Sequence, residues 1–200
     1  MPAPRKRIVV ATGNAGKLRE IKALLSDLCE VVGLDAFPGV SLPDEGEDYR
    51  ENAAEKARVA ARATGLPALG DDSGIEVAGL GGAPGPLSAR YGGAELDAAG
   101  RNARLLEAIS GVAAEARAAR FYCVAAVAWP DGRVETAEGE CRGRILDTPS
   151  GGGGFGYDPV FQPDGYDVSM AELPEVEKNR LSHRGRALVA LRPAILRALA

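Results

Sequence analysis

Two aspartates stand side by side in Gly70-Asp71-Asp72-Ser73-Gly74, directly after the apolar run 66–69. Paired carboxylates are costly to bury without partners. They suit Mg²⁺, which takes one or two carboxylates together with phosphate oxygens and water. A carboxylate beside such an ion can also accept a proton from an attacking water. The same five residues would equally make a tight turn with solvated side chains. A second acidic source, Asp44-Glu45 followed by Glu47-Asp48, lies in the segment 35–48, whose Pro, Gly and acidic residues read as a loop.

Phosphate chemistry is suggested nearer the start, in Ile8-Val9-Val10-Ala11-Thr12-Gly13-Asn14-Ala15-Gly16-Lys17. This is not a Walker A loop. Only two residues separate Gly13 from Gly16, and Leu18 stands where the metal-binding hydroxyl should follow the lysine. A strand–turn–helix still leaves backbone N–H groups and the positive end of a helix dipole facing outward. Thr12, Asn14 and Lys17 add a hydroxyl, an amide and a cation there. A capped helix with a surface lysine accounts for the same residues.

Two later stretches also carry chemistry. Lys178 to Arg186 packs five basic-type side chains into nine positions, including His183, the single histidine. His183 and Arg184 at a helix start can donate to a purine carbonyl or a phosphate, and Ser182 would cap that helix. Gly153-Gly154-Phe155-Gly156-Tyr157-Asp158-Pro159 would let a base approach closely while Phe155 or Tyr157 stacks on it. No nucleophile elbow accompanies the histidine.

Hydrophobic spacing predicts the elements that must hold these residues. Ile8–Ala11 reads as a buried strand, and Leu18, Ile21, Leu24, Leu25 and Leu28 follow at helical spacing. Val31-Val32 suggests a second strand. A helix over 49–63 is built on Ala53, Ala57 and Ala60 and stopped by Gly65 and Pro67. Ile75 to Val77 resumes a strand after the aspartate turn, and 79–93 is irregular. Asn102–Ile109 is helical, 121–129 and 134–141 form a hairpin, and 184–199 is a closing helix. The class is α/β, mixed α+β: one domain over 1–200, a central twisted mixed sheet flanked by helices, in two lobes with a cleft between them.

The bulk numbers set limits. Hydrophobic residues make up 46% and charged residues 26%, ordinary for a soluble protein. A net charge of −4 argues against a nucleic-acid binder. No apolar run approaches a membrane span. Only four apolar residues follow Arg5-Lys6-Arg7, too few for a secretory leader. Cys29, Cys123 and Cys141 are far apart and odd in number, as free thiols in a reducing compartment would be. A cytoplasmic protein is expected.

Taken in order, the motifs resemble those of the inosine triphosphate pyrophosphatase family, which hydrolyses non-standard purine nucleoside triphosphates. T-x-N-x-x-K-x-x-E stands at Thr12, Asn14, Lys17 and Glu20; D-D-S-G at Asp71–Gly74; G-G-A-P-G and S-A-R-Y at Gly81–Gly85 and Ser88–Tyr91. G-F-G-Y-D-P stands at Gly154–Pro159, A-E-L at Ala171–Leu173, E-K at Glu177-Lys178 and S-H-R-G at Ser182–Gly185. The resemblance implies a Mg²⁺-dependent homodimer that converts ITP, dITP or XTP to the monophosphate and pyrophosphate. By the same carry-over, Asp72 is proton acceptor and metal ligand, with Asp71 beside it. Thr12, Gly13, Asn14, Ala15, Gly16 and Lys17 take the triphosphate. Ser73, Phe155, Gly156, Tyr157, Asp158, Lys178, His183 and Arg184 take the rest of the substrate. The pattern breaks at Pro43-Asp44-Glu45-Gly46, where relatives show E-E-T-G or P-E-T-G, so the metal-binding acid there is Asp44 or Glu45. An atypical phosphotransferase and a nucleotide-binding regulator are the rival readings.

Overall fold

The computed structural model describes residues 5–200. Arg7–Ala11 forms β1, and Ala15–Leu24 forms α1. Asn14 opens α1: its side-chain oxygen accepts from the N–H groups of Gly16 at 2.9 Å and Lys17 at 3.1 Å. That satisfies two of the donors every helix start leaves over. Glu30–Gly33 is β2. Tyr49–Thr64 is α2, capped by Asp48 and closed at Gly65, whose φ of 68° is the left-handed conformation glycine adopts without strain.

Ala68–Val77 is β3, one unbroken ten-residue strand. The expected turn at Gly70–Gly74 is therefore corrected. Gly70 serves close approach rather than chain reversal. A Cβ there would lie 2.2 Å from the Ala53 carbonyl oxygen and 2.8 Å from the Ala57 nitrogen of α2. The aspartates need no exposed turn either, because both find cationic partners inside the fold.

Ala98–Ala108 is α3, Ala118–Ala128 is β4 and Val134–Ile145 is β5. The tight turn between β4 and β5 is closed by Gly132 N–H to the Trp129 carbonyl at 2.9 Å and Trp129 N–H to the Arg133 carbonyl at 3.0 Å. Phe161–Pro163 is β6, Glu175–Leu181 is α4 and His183–Ala198 is α5. β6 and α4 are additions to the expected list; at three and seven residues they are too short to show a period.

The six strands form one sheet in the order β2-β1-β3-β4-β5-β6. β1 pairs parallel with β2 and β3, and β5 pairs antiparallel with β6, so the sheet is mixed as expected. The chain divides into two compact units. The first holds the described residues up to Asp72 with Cys123–Gly139 and Arg184–Ala200, around Ile8, Val10, Ile21, Leu69, Val127 and Leu191. The second holds Ser73–Tyr122 and Glu140–His183, around Ile75, Leu105, Phe121, Val160, Phe161 and Met170. Among the described residues no helix is long and apolar enough to cross a membrane.

Candidate active site

Successive side chains of a strand point to opposite faces, and β3 uses this to separate its two aspartates. Asp71 Oδ2 receives Lys17 Nζ of α1 at 3.1 Å, and Arg184 of α5 through Nε at 3.1 Å and Nη2 at 3.0 Å. The third arm of Arg184, Nη1, reaches Glu20 Oε2 at 2.5 Å. Arg184 is 1% exposed, so its guanidinium is committed to two buried carboxylates. Burial alone would push the Asp71 carboxyl up; Lys17, Arg184 and Lys56 together hold it well below the usual range.

Asp72 faces α2 instead. Asn52 Nδ2 donates to its Oδ2 at 2.8 Å, and Lys56 Nζ lies 3.3 Å from its Oδ1. Burial pushes the Asp72 carboxyl up, against the pull of Lys56 and the Asn52 hydrogen bond. The two neighbours thus differ in proton affinity by environment alone: the Asp71 carboxyl is held low and the Asp72 carboxyl is pushed up.

The acidic loop is drawn to the same place. Lys56 Nζ lies 2.5 Å from Glu45 Oε1. Asn52 holds Gly46 through both backbone groups, donating to its carbonyl at 3.0 Å and accepting from its N–H at 2.8 Å. A pocket of about 300 Å³ opens there, lined among others by Asp44, Glu45, Glu51, Glu55 and Lys56. Of the two acids proposed from the sequence, Glu45 is the one carried to the Asp72 side chain through Lys56; Asp44 is exposed. Among the described residues no group of three or more His, Cys, Asp or Glu side chains is gathered as a metal cage. Two carboxylates suit a hard cation that brings its remaining oxygens from water and phosphate.

The opening turn keeps Gly13, Asn14 and Ala15 exposed, with Gly16 buried and Thr12 and Lys17 half-buried. The Thr12 hydroxyl accepts from Asn14 N–H at 3.1 Å. Thr12 and Asn14 therefore shape the turn, and Gly13 to Ala15 are the residues it leaves exposed.

The second unit gathers the other residues singled out. Asp158 Oδ2 accepts from Phe155 N–H at 2.7 Å and from Lys178 Nζ at 2.6 Å, and Lys178 Nζ lies 4.7 Å from the centre of the Phe155 ring. Gly154 and Gly156 have φ of 69° and 62°, conformations that other residues adopt only with strain. Tyr157 is buried, donates its hydroxyl to the Ser88 carbonyl at 2.8 Å and anchors the loop; Phe155 is the half-buried aromatic. Asn102 of α3 donates to the Gly156 carbonyl at 3.1 Å. The His183 ring stacks on Phe121 at 4.8 Å between centres, with 11° between planes. Ser73 is half-buried on β3.

Asn52, Lys56, Asn102 and Phe121 were not singled out by the sequence. A signal existed for the first two: Asn52 and Lys56 are four apart, on one face of a helix whose alanines are buried. Nothing local marks Asn102 or Phe121, which read as ordinary helix and strand residues.

A model described as the Ham1 family matches residues 8–194. A dITP/XTP pyrophosphatase of Deinococcus radiodurans is 50% identical over 190 residues, which is 93% of this chain and 91% of that protein. A protein of the same name from Thermus thermophilus is 49% identical over 92% of this chain and 89% of its own length. The structure of a HAM1 protein from Coxiella burnetii matches with a TM-score of 0.85 at 39% identity, covering 96% of this chain and 99% of that one. With the matched segment running from β1 into the final helix, this chain belongs to the Ham1 family.

Proposed function

We propose that the protein hydrolyses non-standard purine nucleoside triphosphates, ITP, dITP and XTP, to the monophosphate and pyrophosphate with Mg²⁺. The observation that carries this reading is the division of labour on β3: Asp71 neutralised by Lys17 and Arg184, Asp72 held by Asn52 beside Glu45 and Lys56. The relatives' name, dITP/XTP pyrophosphatase, supports the substrate class. Asp72 and Glu45 would hold the Mg²⁺ ion, which when bound neutralises phosphate charge and so eases departure of pyrophosphate.

Asp72 orients a water and takes its proton as the water oxygen bonds to the α-phosphorus. The bond from that phosphorus to the bridging oxygen breaks, and pyrophosphate leaves. Lys17 and the exposed backbone Gly13–Ala15, with Thr12 and Asn14 shaping the turn and Gly16 beginning the helix, hold the polyphosphate. Asp71 and Arg184 keep Lys17 in place. Phe155 and Gly156 meet the nucleoside with Ser73, Lys178 and His183, while Asp158 sets Lys178 and Tyr157 anchors the loop. A donor from His183 suits the 6-oxo acceptor of hypoxanthine and xanthine. Adenine, with a donor at that position, leaves a buried donor unpaired, which costs roughly 1–3 kcal/mol. The same reading takes the enzyme as a homodimer, which light scattering of the purified protein checks.

The test is a product assay with Mg²⁺ and each of ITP, dITP, XTP, ATP and GTP. Pyrophosphate and monophosphate are expected from the first three, with kcat/KM at least about tenfold above ATP. Orthophosphate and diphosphate would mark a phosphotransferase-type reaction, and absence of product a binding protein; either overturns the proposal.

A further inference from the structure

Lys56 sits where a cation is wanted. Its side chain is 6% exposed, and its ammonium bridges Glu45 Oε1 at 2.5 Å and Asp72 Oδ1 at 3.3 Å. Those are the two carboxylates to which the reading above gives the metal, so this inference rests on that reading. Both partners' geometry favours an exchange. The Asp72 side chain is 3% exposed and pinned through its other oxygen by Asn52. Glu45 is 30% exposed, on a loop beside the acidic pocket, and is the more accessible of the two carboxylates. A lysine ammonium is a compact point charge on a flexible four-carbon stem, so it can withdraw from between two carboxylates in a way a planar guanidinium cannot.

We propose that Lys56 is a built-in stand-in for the divalent ion. Without nucleotide its ammonium neutralises Glu45 and Asp72 together, keeps their mutual repulsion from opening the site, and competes with any free cation. The empty enzyme therefore binds the metal poorly. Nucleotide phosphates supply the further oxygens and negative charge that tip the exchange, so metal capture waits for substrate. The residue couples the two ligands by charge, with no moving domain required.

Binding of Mn²⁺ to the nucleotide-free protein, followed by the electron paramagnetic resonance of free Mn²⁺, reads this directly and independently of turnover. Wild type, Lys56→Met and the double variant Lys56→Met with Glu45→Gln are compared. The single variant is expected to bind Mn²⁺ at least about tenfold more tightly than wild type, because two facing carboxylates have lost their internal cation. The double variant is expected to return most of the way to wild type. Equal or weaker binding by Lys56→Met overturns the proposal, as does a gain that survives Glu45→Gln. If Lys56→Met does not fold in metal-free buffer, its melting is repeated with Mn²⁺: rescue supports the stand-in, and no rescue overturns it. Failure of the functional reading shows separately, as absence of pyrophosphate release by wild type.

Discussion

Asp71 and Asp72 carry the same carboxyl on neighbouring residues, and the pleat of β3 sends them opposite ways. Asp72→Asn keeps the shape and removes the proposed proton acceptor. Turnover is expected to fall by ~10²–10⁴, while equilibrium dialysis still shows nucleotide bound; near-normal turnover would remove Asp72 from the mechanism. Asp71→Asn acts on stability. It leaves Arg184 and Lys17 with a buried partner that has lost its charge, and about 3–5 kcal/mol is the usual loss on breaking a buried pair. The sign with pH follows from the depressed carboxyl. The stabilisation is fully present above the ordinary aspartate pKa of about 4 and is lost as pH falls toward the lower folded value. Melting temperatures of wild type and Asp71→Asn should thus differ by a constant amount from pH 8 to about pH 5, then converge. A gap that widens in acid would contradict the ion-pair account.

The contact between α2 and β3 is set by a missing side chain. Gly70→Ala places a Cβ 2.2 Å from the Ala53 carbonyl oxygen, backbone that cannot step aside cheaply. A loss of about 1–3 kcal/mol by chemical denaturation is expected. The matched control, Gly13→Ala, meets nothing within 4 Å and should stay within about 0.5 kcal/mol of wild type. A neutral Gly70→Ala would show that α2 does not approach β3 so closely. The elements themselves were mostly readable in the sequence. Caps at Asn14 and Gly65 and apolar spacing place β1, α1, α2 and the β4–β5 hairpin because those signals are local. The strand through Gly70–Gly74 looks like a turn for the same reason. Two glycines around two aspartates are turn-like to any local rule, and only the packing of α2 and the buried cations explain an extended backbone there.

Each of the two compact units has its own apolar core, and the three thiols lie inside them. Cys29, Cys123 and Cys141 are 2%, 0% and 3% exposed, and burial together with the Asp71 charge pushes the Cys123 thiol up to about 12. The native protein at pH 8 is therefore expected to show no rapid reaction with Ellman's reagent, and three equivalents after unfolding; a fast native equivalent would contradict this burial. The sequence by itself determined which chemistries were at hand: a turn with a lysine, two adjacent carboxylates, a glycine-rich aromatic loop and a basic helix start. It also determined the order of the longer elements, apart from the middle of β3, since helix and strand periods are written over a few residues. Only the tertiary structure decided who meets whom. Arg184 reaches Asp71 across 113 positions of chain, and Lys56 joins Glu45 to Asp72. Those pairings depend on strand register and helix packing, and they shift the proton affinities of two identical side chains in opposite directions, which no spacing along the chain encodes.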